Sequence, residues 1–332
     1  MKAVCVEPDR SLQLREIPTP IDPAAGHLLI EIEASAINPG DKAFLARTAP
    51  MALATGAREV WGASAVGRVV ALGDGVSSAY AGRQVAIYRS LHPTPEMIGL
   101  WCERAHVHHL SCLILPDGVQ SHDYCGSLVN AITAYAFLEQ ALAERHKAIV
   151  VTAGGSATGN ALAVLACDRN VPVIHLVRSA AKRDRLRRSG MEHVLDTTDR
   201  DFDHAFHGLV QDLDATAIFD GVGGDLASRL VPNLAVNSTL SFYGFLAGSA
   251  PFTIQTLQVI AKNLTIRRFS NFESATVKDP DNLAAALLTL QNSIAGVSFR
   301  TAIGREFAIE DIHAAMAFKD ASGRRAVLRL RA

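Results

Sequence analysis

Hydrophobic and polar positions keep one rhythm over roughly the first third of the chain and another after Ala148. His27 to Ala34 alternates apolar with polar, the period of a half-buried strand. Gly67 to Leu72 and Gln84 to Tyr88 read the same way, with Gly73-Asp74-Gly75 as a turn between them. Asp123 to Leu142 is helical in pattern, with Leu128, Ile132, Tyr135 and Leu138 on related faces. From Ala148 strands and helices alternate, which implies a parallel sheet. The strands are Ala148–Val151, Val171–Val177, Ala217–Asp220, Thr239–Phe245 and Leu264–Phe269. Asp281 to Ile294 is a helix of alanines and leucines with Pro280 just ahead of it. The fold class is α/β: a β-rich domain at 1–122, a doubly wound parallel-sheet domain at 123–271, and a tail, 272–332, expected to complete the first domain.

The opening of the parallel part carries the chemistry. Between its first strand and first helix lies a run of small residues, Thr152-Ala153-Gly154-Gly155-Ser156-Ala157-Thr158-Gly159. A strand, a tight turn of small residues and a helix form the start of a dinucleotide-binding βαβ unit. Small side chains let the backbone approach a pyrophosphate, which sits on the unpaired amides of the helix N-terminus. Aligned on Gly159, the expected glycines fall at Ala153, Ser156 and Gly159, so only the last survives; the Ser156 hydroxyl is a substitute phosphate donor. Arg178 ends the second strand, 19 residues past Gly159, where NAD enzymes carry an acid for the ribose 2′-hydroxyl. Lys182 and Arg183 follow. A cationic cluster there attracts a 2′-phosphate, and the reading is NADPH rather than NADH; the competing reading is a solvated basic helix face, since Arg185, Arg187 and Arg188 extend the run.

Length and composition narrow the setting. The 332 residues suffice for two cores, and 49% hydrophobic with 20% charged residues is a soluble globular balance. A net charge of −1 gives no bulk attraction to nucleic acid or membrane surfaces, and no apolar run approaches a membrane-spanning length. The N-terminus has no signal-peptide layout, and the five cysteines are scattered, so a reduced cytoplasmic setting is expected. Were Cys102 to Cys112 one continuous strand, Cys102, His106, His108 and Cys112 would share a face, a soft-metal arrangement; Leu110, Leu113 and Leu115 favour a packed barrel strand instead, and no metal is expected.

Taken in order, several segments resemble the medium-chain dehydrogenase/reductase superfamily. Ile37-Asn38-Pro39-Gly40-Asp41 is similar to the Asn-Pro-x-Asp turn of its zinc-free branch. Gly62 to Gly67 with Val69-Val70 resembles its Gly-x-Glu-x-x-Gly-x-Val segment, and Asn130 to Tyr135 its Asn-Pro-x-Thr-Ala helix. Asp220 to Gly224 and Tyr243-Gly244 match its later strand ends. The resemblance covers nearly the whole chain and is nearest to quinone oxidoreductases and 2-enoyl thioester reductases.

It implies a GroES-like β domain beside a Rossmann domain. It places Asn130 and Thr133 at the nicotinamide, Gly155, Ser156, Ala157 and Thr158 around the pyrophosphate, and Arg178, Ser179 and Lys182 at the 2′-phosphate. Tyr243, Gly244, Phe245 and Leu246, with Phe269, Ser270 and Asn271, would line the cofactor groove, and Arg325 takes the place of a family lysine. Zinc is not implied: Asp41 stands for the family's first cysteine and Ala63-Ser64 for its His-Glu pair. The reaction implied is hydride transfer to an activated C=C or a quinone, a small-molecule substrate, with Asn38 and Thr133 orienting the substrate carbonyl or the nicotinamide and Asp41 or water handling the proton. Trp61, Tyr88 and Trp101 are pocket candidates that core packing would explain equally well. The tyrosine of the thioester reductases falls at Ala49, so two alternatives stay open: a thioester reductase without it, with Arg47 and Arg58 as entrance charges, or a cofactor-binding relative without catalysis. By analogy the chain is a homodimer, joined at Thr239–Phe245 or Leu264–Phe269 as an edge strand.

Overall fold

The structure, a computed structural model, describes residues 1–46, 59–95 and 98–330. Arg47, Ala49 and Arg58 lie outside the described residues. The chain divides into two compact units, Met1–Ile132 with Pro280–Ala332, and Thr133–Asp279.

The first unit is built from β1 (Lys2–Val6), β2 (Leu12–Glu16), β3 (His27–Ala36), β4 (Glu59–Val60), β5 (Ser64–Leu72), β6 (Gln84–Tyr88), β7 (Arg104–His108) and β8 (Cys112–Ile114). The second holds β9 (Ile149–Val151), β10 (Val173–Val177), β11 (Val194–Asp196), β12 (Ala217–Asp220), β13 (Thr239–Phe242) and β14 (Thr265–Arg268). The C-terminal segment adds β15 (Ile303–Ala308) and β16 (Arg325–Arg329) to the first unit.

In the first unit β3 is the hub. It pairs antiparallel with β5, β7 and β16, within a sheet ordered β15-β16-β3-β5-β6-β8. A smaller sheet runs β2-β1-β4. Leu28, Ile30 and Ile32 of β3 pack with Val85, Ile87, Trp101 and Leu328 in one core. After β3 the chain turns at Asn38 into helix α1 (Pro39–Ala46), whose leading proline has no N–H to leave unpaired, and helix α2 (Ser127–Ala143) follows β8. Backbones approach closely where Gly67 of β5 crosses β3: a Cβ there would lie 2.3 Å from the Glu31 carbonyl oxygen and 2.7 Å from Ile30 Cγ2.

The second unit is a six-stranded parallel sheet ordered β11-β10-β9-β12-β13-β14. Numbered within the unit this is 3-2-1-4-5-6, the doubly wound order of dinucleotide-binding folds. The buried strands β9, β10 and β12 carry Val150, Ile174, Leu176 and Ile218 into a core with Phe202 and Phe206. Two expectations need correction. The strand expected at Thr239–Phe245 ends at Phe242, and Tyr243 to Leu246 leave the sheet, because Tyr243 turns inward over Gly221. Of the two candidate edges, β13 is interior, flanked by β12 and β14, and the edge is β14.

The Gly67 crossing gives a test. Gly67→Ala is expected to cost about 1–3 kcal/mol of stability, since neither strand can yield without breaking its ladder. Denaturant unfolding would show it as a lowered midpoint, and an unchanged midpoint would contradict this close approach.

Candidate functional site

The nucleotide turn joins β9 to helix α3 (Ala157–Asp168) in a few residues, so its backbone folds tightly on itself. A Cβ on Gly159 would lie 2.3 Å from the Gly154 carbonyl oxygen, and one on Gly154 would lie 2.8 Å from His175 Cβ on the neighbouring strand. Ala153, at the place of the first expected glycine, has φ 51°, a left-handed conformation that costs an L-residue roughly 1–2 kcal/mol. The backbone therefore keeps the glycine-type turn without the glycine. Ser156 is the N-cap of α3: its Oγ accepts from Gly159 N at 3.2 Å, and its side chain also interacts with the Tyr243 phenol. Gly155, Ser156 and Ala157 are only partly buried at this helix start, where the first amides have no helical acceptor.

Across the turn, β10 delivers Arg178, which is exposed. Ser179 begins helix α4 (Ala180–Arg188), its Oγ accepting from Lys182 N at 3.3 Å. Arg178 and Lys182 have no ion-pair or side-chain hydrogen-bond partner among the described residues. Unpaired cations and open helix-start amides match the donor set that a phosphorylated dinucleotide needs.

The strand ends beside the turn are clamped by Asp220 and Thr152. Asp220 is fully buried; its Oδ1 accepts from the Thr152 hydroxyl and from Val222 N at 2.9 Å, and its Oδ2 from Gly223 N at 2.9 Å. Thr152 Oγ1 accepts in turn from Gly221 N at 2.9 Å. This carboxylate shapes the turn, a role that the sequence reading did not assign. The Tyr243 ring lies on Gly221, where a Cβ would sit 2.6 Å from its Cζ, and burial pushes its phenol pKa up. Tyr243 and Phe269 belong to an aromatic cluster with Phe137 and Phe219, with Phe137 and Phe219 stacked at 4.1 Å. Phe245 and Leu246 stand apart in an exposed loop. Near the start of the second unit the Thr133 hydroxyl accepts from Asn271 Nδ2 at 2.6 Å. Asn271 Oδ1 is buried without a partner, an acceptor suited to a ligand amide.

The first unit gathers Asn38, Asp41, Asn130 and Arg325 into one buried polar network. Asp41 is 4% exposed, and its Oδ2 accepts from Asn38 N at 2.8 Å and Asn38 Nδ2 at 3.1 Å. Asn38 Nδ2 also donates to Ser64 Oγ at 2.8 Å, and Asn38 Oδ1 accepts from Arg325. Arg325 reaches Asn130 Oδ1 at 3.3 Å and the Gly126 carbonyl at 3.4 Å. A Cβ at Gly126 would lie 2.8 Å from Arg325 Nη1, so the guanidinium needs a glycine beneath it. Burial lifts the Asp41 pKa to about 6, against the hydrogen bonds from Asn38 and the charges of Arg89 and Arg325. Asn38 thus has both amide ends engaged within the protein. Trp61 and Trp101 are core residues, at 5% and 0% exposure.

The histidine-rich segment is not one strand. The chain leaves β7 after His108, makes a short turn of helix at His109–Ser111, and re-enters the sheet as β8 at Cys112. The shared face of Cys102, His106, His108 and Cys112 therefore does not exist. His92 stacks on His108 at 4.0 Å instead, and burial with neighbouring imidazoles holds His108 down at about 4. Among the described residues no group of three or more His, Cys, Asp or Glu side chains could hold a metal ion.

Comparison with known proteins agrees with this architecture. Residues 24–140 match the family model of the alcohol dehydrogenase GroES-like domain, and residues 157–287 that of zinc-binding dehydrogenases. The chain is 26% identical over 273 residues to the mitochondrial enoyl-acyl-carrier-protein reductase of Bos taurus, covering 80% of this chain and 70% of that protein. A mycobacterial quinone oxidoreductase superposes with a TM-score of 0.74 at 25% identity, covering 99% of each chain. The Escherichia coli quinone oxidoreductase, solved in complex with NADPH, superposes with a TM-score of 0.78 at 18% identity, covering 99% of this chain and 100% of its own. With a GroES-like unit, a doubly wound parallel sheet and the glycine turn between its first strand and helix, the chain belongs to the medium-chain dehydrogenase/reductase superfamily.

Proposed function

We propose that this protein is an NADPH-dependent reductase that passes a hydride to a quinone or to a C=C bond activated by a neighbouring carbonyl. The observation that carries the reading is the β9–α3 turn with Arg178 just after β10 and Lys182 in the first turn of α4, neither paired among the described residues. Residues 1–122 and 272–332 serve the substrate and residues 123–271 the cofactor. Bound NADPH supplies the hydride. Gly155, Ser156, Ala157 and Thr158 hold the pyrophosphate, Arg178, Ser179 and Lys182 the 2′-phosphate, and Thr133 with Asn271 orients the carboxamide end.

Asp41 is the proton source for the substrate carbon. Its Oδ2 is tied to Asn38, whereas Oδ1 has no hydrogen-bond partner among the described residues, and burial keeps a proton on it to about pH 6. Asn38 positions that carboxyl. A second reading, reduction of 2-enoyl thioesters, is favoured by the similarity to the bovine enoyl reductase.

Mixing the protein with NADPH and a panel of quinones, enones and crotonyl thioester, and following nicotinamide absorbance, tests the assignment. Turnover of quinones or enones is expected. Tight NADPH binding with no turnover on any of them would sink it and leave a cofactor-binding relative without catalysis; turnover of crotonyl thioester alone would select the second reading. For enone reduction the acid form of Asp41 is the active one, so kcat/KM is expected to fall about tenfold per pH unit above about 6. Asp41→Asn is expected to flatten that limb while lowering the rate about 10²-fold.

A second copy of the chain is the partner proposed for the β14 edge. The helix before it, Thr256–Lys262, buries none of its residues; Leu257 and Ile260 are 71% and 72% exposed, and Ile266 of β14 is exposed too. An open edge with apolar flanks calls for a covering strand. Sedimentation is expected to give a dimer for the native protein and a monomer for Leu257→Asp/Ile260→Asp; a native monomer would refute the proposal.

A further inference from the structure

The basic run on α4 separates into two groups. Arg183 is paired with Asp184 at 3.0 Å and Asp199 at 3.5 Å, Arg187 Nη2 donates to the Val194 carbonyl at 2.9 Å, and Arg188 Nε to the Asp184 carbonyl at 3.3 Å. Those three serve the helix and its neighbours. Arg178, Lys182 and Arg185 have no ion-pair or side-chain hydrogen-bond partner among the described residues. Of these, Arg185 has a defined direction. Helical side chains lean toward the helix N-terminus, here toward the end of β10. The Arg185 guanidinium accordingly comes back over the nucleotide turn: its Nη2 lies 4.0 Å from the position a Cβ would take on Gly155. The other two neighbours of that position are Leu186 Cδ1 at 3.6 Å and Val177 Cγ1 at 3.7 Å, Val177 being the last residue of β10.

We infer that Arg185 is a specificity-determining residue that binds the 2′-phosphate of the adenosine ribose together with Arg178. The inference rests on the NADPH reading above. In this fold the ribose 2′-substituent lies at the end of the second strand, whereas the pyrophosphate sits at the start of the first helix. Arg185 Nη2 and Val177 Cγ1 both lie within 4.0 Å of the position a Cβ would take on Gly155, which brings the guanidinium near the end of the second strand, where the ribose binds. Arg178 approaches from the strand itself and Arg185 from the helix, and the planar guanidinium suits a bidentate contact with phosphate.

The test measures equilibrium binding of NADPH and NADH by fluorescence or calorimetry, which needs no known substrate. The proteins are wild type, Arg185→Ala, Arg185→Lys, Arg178→Ala and the double alanine variant. Arg185 is exposed, and its removal leaves the fold intact. Arg185→Ala is expected to weaken NADPH about 10- to 100-fold, the range for a hydrogen bond to a charged group, and to leave NADH within about twofold. Arg185→Lys restores part of the loss, and the double variant loses most of the preference. Adenosine 2′,5′-bisphosphate should follow NADPH, and 5′-AMP should follow NADH. An equal loss for both dinucleotides would overturn the inference by moving Arg185 to the pyrophosphate, and no loss for either would remove it from the site. Wild-type protein that fails to bind NADPH would instead sink the functional reading, and the role of Arg185 with it.

Discussion

The Rossmann unit depends on one contact, the backbone of Gly159 lying against the Gly154 carbonyl. A single added methyl at Gly159 would come within 2.3 Å of that oxygen. The contact lets β9 turn into α3 without a longer loop, and it aims the first amides of α3 outward at the end of the strand. The neighbouring strand ends are then fixed to the same place, through Asp220 and Thr152 on one side and the packing of Gly154 against His175 on the other. A buried carboxylate is costly unless its lone pairs are met, and Asp220 meets that demand with backbone and hydroxyl donors from the turn it shapes.

The first unit solves a related problem with opposite charges. Asp41 and Arg325 share one network through the Asn38 carboxamide, which accepts from the guanidinium at one end and donates to the carboxylate at the other. Asn130 gives Arg325 a second acceptor. The amide acts as a spacer that keeps the two charges coupled without direct contact. Asp41 therefore holds a proton nearer neutrality than a solvated aspartate would, because burial disfavours its charged form.

The two regions differ in how they were legible. The turn was readable because its run of small residues lies between a strand and a helix, and that pattern is local. Its details were less so: Ala153 takes the left-handed conformation expected of glycine, which composition hides. Asn38, Asp41, Asn130 and Arg325 were named from a resemblance, but their union was not visible, since 287 residues separate Asn38 from Arg325. The histidine-rich segment was read only conditionally as one strand, and a short helical turn at His109–Ser111 breaks it. Arg185 was indistinguishable in sequence from its basic neighbours; only side-chain direction sets it apart.

By itself the sequence determined the β-rich start, the parallel α/β order, the small-residue turn and the cation at the end of its second strand, because hydrophobic period and turn chemistry act over a few residues. The tertiary structure decided which strand forms the edge, which cations are already paired, and which amides are spent on holding Asp41. Those outcomes depend on residues far apart in the chain competing for the same buried donors and acceptors, and a linear pattern does not record that competition.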